Sequence, residues 1–339
     1  MKDNITIDDV ARMANVSKAT VSFVLNDKKG VSQATRDKVL SVIRQLNYRP
    51  TLNSKRLYYQ KSFTIAVVFD QSVHTSNNLF YYDILNALLK RCMAYNYVLV
   101  YTEYRVEGDE PILPDNILNK DVDGLIFLKE IPLVLISRLD SLKIPFVVVD
   151  DHSAHTSLYT VRTDYRLAAY TAVRHLICQG HKSIGFVGNA NIPAFYLDTL
   201  TGYQDALREA DLPLDLAFCY NSIDCRGKLE EAFASFRESA NRPTAFFCME
   251  DLLAIELIRF CQKTGIAVPE ELSVIAIDDI IPSDMIYPGL TTIALEKEEM
   301  SYCAIDILID LISGKKTQSK VVPSNRIVIR DSVGKLADN

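Results

Sequence analysis

The stretch VSKATVSFVLND, Val16–Asp27, carries the side chains with the clearest chemical use. Its polar residues are short, and one cation, Lys18, stands among them. On a helix such a set can enter a DNA groove and donate to phosphates and base edges. In its middle stands Phe23, which has no hydrogen-bonding group. Elsewhere the patterns that mark catalysis are missing: no G-x-x-x-x-G-K-[ST] loop, no G-x-G-x-x-G after a strand, no G-x-S-x-G elbow and no H-E-x-x-H. The neighbours Asp278 and Asp279 close an apolar run, where adjacent side chains point in opposite directions, so they are poorly placed for shared acid/base work. Seven cysteines include no C-x-x-C pair and, with five histidines, make no zinc pattern. They read as reduced, mostly buried thiols, and no metal or cofactor is expected.

The elements that would carry Val16–Asp27 are short helices. Thr6 precedes an amphipathic run with Val10, Ala11 and Ala14 on one face, and its hydroxyl is a candidate cap, with Asp9 three residues on. Asn15-Val16 makes a turn. Ser17 caps a second helix with Val21, Val24 and Leu25 inward. Ser32 caps a third, with Val39, Ile43 and Leu46 on its inner face. Two short helices, a tight turn and a bracing third helix make a helix-turn-helix. The charge supports this reading. Residues 1–61 hold twelve Lys/Arg against five Asp, which is +7, so a net charge of −6 leaves −13 for the rest. A basic head on an acidic body meets a polyanion at the head alone.

The run TIDDVARMANVSKATVSFVLNDKKGVSQATRDKVLSVIRQLNYRP resembles the DNA-binding head of the lactose-repressor (LacI/GalR) family, without a gap. The resemblance implies that Lys18, Ala19 and Phe23 face bases. It implies that the Thr6 helix start, Ser17, Ser22, Asn26, Ser32, Thr35 and Tyr48 belong to the DNA-contacting surface. Where the family most often has an arginine, Phe23 stands; it offers apolar contact, as to a thymine methyl, in place of a bidentate grip on guanine. The following YRPTLNSKRLYYQKS is similar to the family's hinge helix. Leu57 then takes the place of the minor-groove wedge, with Ser54 and Lys55 before it. Bulky Arg56 stands where the family has a small residue.

From Thr64 apolar runs alternate with amphipathic stretches. TIAVVF, YVLVYT, DGLIFL and PFVVVD read as parallel strands, and SIGFVG, LAFCYN, TAFFCM and LSVIAID as a second series. Two such series predict two α/β subdomains with a ligand cleft at the strands' carboxyl ends. This segment too is similar to the family's periplasmic-binding-protein type I core, through QGHKSIGFVG, GYQDAL, VPEELSVIAIDD and PGLTTI. The expected organisation is an all-α head over 1–50, a hinge over 51–60 and a two-lobed α/β core over 61–339, with lobe crossings near 160, 290 and 320.

The resemblance also implies a set of cleft residues: Phe80, Tyr81, Asp150, Phe195, Tyr196, Thr199, Glu250 and Asp278. Thr199 stands where sugar-sensing members carry arginine, and Glu250 where they carry asparagine. Carboxylates with aromatics suit sugar hydroxyls or an amine-bearing ligand, and suit an anion poorly.

No apolar run approaches the about 20 residues of a membrane span, and the first residues lack an apolar leader, so the expected place is the cytoplasm. The expected protein is a homodimeric repressor that binds a near-palindromic double-stranded operator and answers to a small molecule, most naturally a sugar. The alternative is a solute-binding transport component on the same core, which would leave the basic head unexplained.

Overall fold

The protein is described from a computed structural model, which places residues 5–25, 28–48, 61–71, 79–108, 110–151, 158–191, 193–220, 233 and 242–336. The chain divides into two compact units, Met1–Phe63 and Thr64–Asn339.

The first unit holds α1 (Ile7–Ala14), α2 (Lys18–Leu25) and α3 (Gln33–Leu46). Thr6 and Asp9 form a capping box at the start of α1, as their spacing leads one to expect. Both the backbone N–H and the hydroxyl of Thr6 donate to the Asp9 carboxylate, at 2.9 and 2.7 Å. Those bonds, the backbone one foremost, hold Asp9 below the usual carboxylate range. Asn15 ends α1 in the left-handed region at φ 50, where asparagine sits at little cost. Ser17 accepts from the Thr20 N–H at 3.1 Å, and Ser32 from the Thr35 N–H at 3.3 Å, so two hydroxyls start α2 and α3. The core joins Val10, Ala11 and Ala14 to Val21, Val24, Val39 and Val42; Leu25, Ile43 and Leu46 pack at its margin.

The second unit carries two sheets. The first is built from β1 (Thr64–Asp70), β2 (Val98–Glu107), β3 (Glu110–Ile112), β4 (Gly124–Leu128), β5 (Phe146–Val149), β6 (Thr160–Thr163) and a late strand, Lys320–Val322, in the order late strand-β6-β5-β4-β1-β2-β3. Its helices are α4 (Leu79–Ala94), α5 (Asp115–Leu118) and α6 (Leu133–Leu142). The second sheet contains β7 (Ile184–Val187), β8 (Cys219–Tyr220), β9 (Ala245–Cys248), β10 (Ser273–Asp278) and β11 (Thr291–Ala294). With Lys320–Val322 as β12 and Arg326–Val328 as β13, its order is β13-β11-β10-β9-β7-β8. Its helices are α7 (Tyr165–Cys178), α8 (Pro193–Glu209), α9 (Asp251–Thr264) and α10 (Pro282–Met285). A further helix, α11 (Lys297–Ile312), packs on α4 and β5 of the first sheet.

Pairing is parallel throughout except β2 with β3 and β11 with β13. Two residues separate β2 from β3, too few for a crossover, so the chain can only reverse there. The central strands β1, β4, β7, β9, β10 and β11 are buried along almost their whole length, which is why they read as unbroken apolar runs. The chain passes to the second sheet after β6, returns after β11 and passes again after β12. Among the described residues no helix is long and apolar enough to cross a membrane. Of the cysteines, Cys92, Cys248 and Cys261 are buried, Cys219 and Cys303 partly so, and Cys178 is exposed.

One glycine explains the GYQDAL segment. A Cβ on Gly202 would lie 2.2 Å from the Arg166 carbonyl oxygen and 2.9 Å from the Ala169 Cβ, so α7 and α8 meet backbone to backbone there. Gly202→Ala is expected to push the helices apart and cost about 1–3 kcal/mol. Urea unfolding with an unchanged midpoint would contradict that contact.

Candidate nucleic-acid interface and ligand cleft

On the first unit, α2 turns Val21 and Val24 inward and leaves Ser17, Lys18, Ala19 and Phe23 exposed. Its outer face borders a hollow lined also by Thr20, Gly30, Val31, Ser32 and Thr35. Phe23 is 38% exposed, so its ring faces outward and is no part of the core. The Lys28 ammonium lies 5.8 Å from that ring's centroid. Lys18 pairs with Asp8 at 2.5 Å, an exposed contact of the kind worth little in water and open to exchange for a phosphate. Ser22 is half-buried. Tyr48 belongs elsewhere than expected: at 6% exposure it is a core residue, and burial raises its phenol. Its ring completes the packing under α3, which leaves little of it to meet a duplex. Asn26, Ser54, Lys55 and Leu57 lie outside the described residues. Sequence reasoning missed Val31 and Gly30 in the hollow; the apolar residue beside a glycine between two helices was the available signal.

On the second unit, a cleft partly open to solvent lies between the sheets. Its lining joins Phe80, Tyr81 and Asp150 to Phe195, Glu250 and Asp278, and adds Lys129, Glu130, Tyr165, Leu252 and Ile280. Four of these lie at strand ends: Lys129 directly after β4, Asp150 directly after β5, Glu250 two residues past β9 and Asp278 at the end of β10. Asp150, Asp278 and Asp279 leave their strands at φ 63, 130 and 52, breaking the strand's alternation just where the side chains matter.

Asp150 is 5% exposed and accepts from two phenols, Tyr81 at 2.6 Å on Oδ2 and Tyr165 at 2.9 Å on Oδ1. Burial first, then the Asp150 charge, pushes both phenols well above their ordinary range, so they stay donors. Asp251, beside Glu250, turns away from the cleft. It accepts from the Ile280 N–H at 3.0 Å, the Ser283 hydroxyl at 2.5 Å and the Thr292 hydroxyl at 2.6 Å, tying α9 to β11 and the segment after β10. Burial outweighs those bonds and raises it to about 6. Asp278 is raised well above the ordinary range by burial, then by the charges of Asp251, Glu250 and Asp150, against the opposing Lys297. The Lys297 ammonium reaches Asp83 and the Asp279 carbonyl, each at 3.2 Å, and lies 5.3 Å from the Phe80 centroid. Asp279 meets Arg330 at 2.7 Å, so the two neighbouring aspartates serve different partners.

Two expected cleft residues are not on the lining. Thr199 is fully buried, and its hydroxyl donates to the Phe195 and Tyr196 carbonyls of its own helix at 2.9 and 3.0 Å. Tyr196 packs on Phe186, ring centroids 5.7 Å apart. Both lie on α8, whose periodicity turns Phe195 into the cleft and these two aside. The missed residues Lys129 and Glu130 follow the strand DGLIFL directly, so the rule that ligands bind at strand ends would have found them. Tyr165 had no such signal; it opens α7 and reaches Asp150 only in three dimensions. Among the described residues no group of His, Cys, Asp or Glu could hold a metal ion.

A helix-turn-helix unit joined to a two-sheet unit with a polar cleft defines a DNA-binding protein of the ligand-responsive kind. Residues 6–51 match the family model "Bacterial regulatory proteins, lacI family", and residues 173–333 match the "Periplasmic binding protein-like domain". The chain is 31% identical over 333 residues to catabolite control protein A of Priestia megaterium, covering 97% of this chain and 99% of that one. Its fold matches the lac repressor dimer bound to operator and the anti-inducer ONPF, with a TM-score of 0.76 at 23% identity over 98% of this chain and all of that one. It also matches a LacI family regulator of Enterococcus faecium with bound ribose, with a TM-score of 0.68 at 26% identity over 81% of this chain and all of that one. The chain belongs to the lacI family of bacterial regulatory proteins. It is a DNA-binding transcription regulator and not an enzyme.

The raised carboxylates have a measurable consequence. Between the ordinary carboxylate value and its raised one, a buried aspartate binds more protons folded than unfolded, so stability falls as pH rises through that interval. For Asp251 the interval runs from about 3.8 to about 6, and for Asp278 it extends well above the ordinary value. Asp278→Asn removes one such charge. It is expected to stabilise the ligand-free protein at pH 8, where the raised carboxyl costs most. The gain should shrink as pH is lowered. Thermal midpoints measured from pH 4 to 8 test this, and a variant less stable than the parent at pH 8 would refute it.

Proposed function

We propose that the protein is a cytoplasmic repressor that binds a near-palindromic operator as a homodimer and releases or grips it in response to a small metabolite in the cleft. The observation that carries the DNA half is α2: Lys18, Ala19 and Phe23 stand exposed on one face while Val21 and Val24 hold the other in the core. The charge division, +7 over residues 1–61 against −13 beyond, favours the same surface. Phe23 reads by apolar contact, beside the hollow that includes Val31, and a thymine methyl fits that chemistry. Leu57, with Ser54 and Lys55, is assigned by resemblance to a wedge that opens a flexible central step.

The effector half rests on the cleft's buried rings and carboxylates, and on the ribose bound by the Enterococcus relative. A carbohydrate or related metabolite is the class proposed. Control is linkage: an effector that binds one arrangement of the core more tightly shifts operator affinity by the same coupling.

Selection of duplexes from a randomised pool at near-physiological salt tests the DNA half. A near-palindrome with a flexible centre is expected, and no enriched motif would overturn the reading. Repeating the selection with Phe23→Arg should change the preferred base at one position per half-site, by about 1–3 kcal/mol toward guanine. An identical motif from both proteins would mean that Phe23 reads nothing.

A further inference from the structure

The cleft is rich in acceptors and poor in donors. Among its described lining residues four carboxylates, Glu130, Asp150, Glu250 and Asp278, face one cation, Lys129. The phenols of Tyr81 and Tyr165 already donate to the two oxygens of Asp150. The Lys129 ammonium lies 5.6 Å from the centroid of the Tyr81 ring. Lys297, the nearby buried cation, is engaged by Asp83 and the Asp279 carbonyl and does not line the cleft. Thr199, off the lining on the same helix as Phe195, spends its hydroxyl on that helix's own carbonyls and adds no donor to the cleft.

Asp278 makes the need specific. It is 8% exposed and lines the cleft, yet its carboxylate accepts no hydrogen bond among the described residues. In its ionised form a buried carboxylate is an acceptor only, and leaving it without a donor is costly. Sugar hydroxyls would supply hydrogen bonds but leave the excess negative charge in place. An ammonium supplies both the donors and the opposite charge. The buried rings of Phe80 and Phe195, 6% and 8% exposed, add faces that attract a cation and cover apolar carbon. A phosphate or carboxylate would meet like charge.

We propose that the effector is a small amine, its protonated nitrogen against Asp278 with Glu250 and Asp150 as neighbours, and its carbon frame between Phe80 and Phe195. This rests on the reading of the cleft as the effector site and names the chemical class that the site takes. The negative charge then has a purpose that a neutral sugar site lacks: it excludes the hydroxyl analogue of the same shape by leaving the carboxylates unneutralised.

Calorimetric titration of the full chain with matched pairs tests it: D-glucosamine against D-glucose, D-galactosamine against D-galactose, and 1,4-diaminobutane against 1,4-butanediol. D-glucose 6-phosphate serves as the anionic control. The expected result is at least one pair in which the amine binds tenfold or more tightly than its hydroxyl partner, with no binding of the phosphate. In Asp278→Asn, with folding checked by circular dichroism, that preference should fall at least tenfold. A hydroxyl member that binds as well as or better than its amine overturns the amine and leaves the cleft as an effector site. An amine preference unchanged in Asp278→Asn places the charge recognition elsewhere and overturns the proposal as well. No binding by any member overturns the proposal together with the reading of the cleft.

Discussion

The cleft depends on one buried carboxylate held by two halves of the core. Asp150 ends a strand of the first sheet and accepts from Tyr81, on a helix of that half, and from Tyr165. Tyr165 opens the helix that packs on β10 of the second sheet. A charge this deep must be paired, because desolvation without a partner costs several kcal/mol. The pairing fixes where the ring of Tyr81 lies, and with it the edge-on Phe80 at 5.0 Å. On the other side it fixes Tyr165 and the ring of Phe195 at 4.3 Å. Both aromatic walls of the cleft are thereby set by the same two hydrogen bonds.

Neighbouring carboxylates in this core have divided their work by satisfaction. Asp251 is saturated by a backbone N–H and two hydroxyls, and its task is structural. Glu250, one residue earlier, lines the cleft. Asp279 is neutralised by Arg330, while Asp278 faces the cleft without a hydrogen-bond donor among the described residues. A carboxylate with three donors rigidifies a fold; one with none is poised for a ligand and carries its cost until the ligand arrives. The stability of the core and its binding capacity therefore pull in opposite directions at Asp278.

Much of the architecture was legible before any coordinates. Unbroken apolar runs such as TIAVVF and SVIAID are what strands buried on both faces require, and the hydroxyls at Ser17 and Ser32 announced two helix starts. The start of the first helix was legible too, since Thr6 with Asp9 three residues on forms the capping box that spacing announces. Tyr48 was placed on the DNA surface by its motif, whereas packing against the three helices took it inside. Thr199 was placed in the cleft by its spacing from Gly202 and Tyr196 by resemblance, but the orientation of that helix is set by packing such as the close contact of Gly202 with Arg166.

The sequence by itself determined the element types, the basic head, the family and the acidic character of the cleft. Each of these is carried by local pattern or by composition, which need no knowledge of what lies far along the chain. Only the tertiary structure decided which carboxylate is satisfied and which is not. Asp251 finds its donors 29 to 41 residues away and Asp150 one of its two 69 residues away. Such distances are crossed only when strands and helices pack, and burial then makes every unpaired charge count.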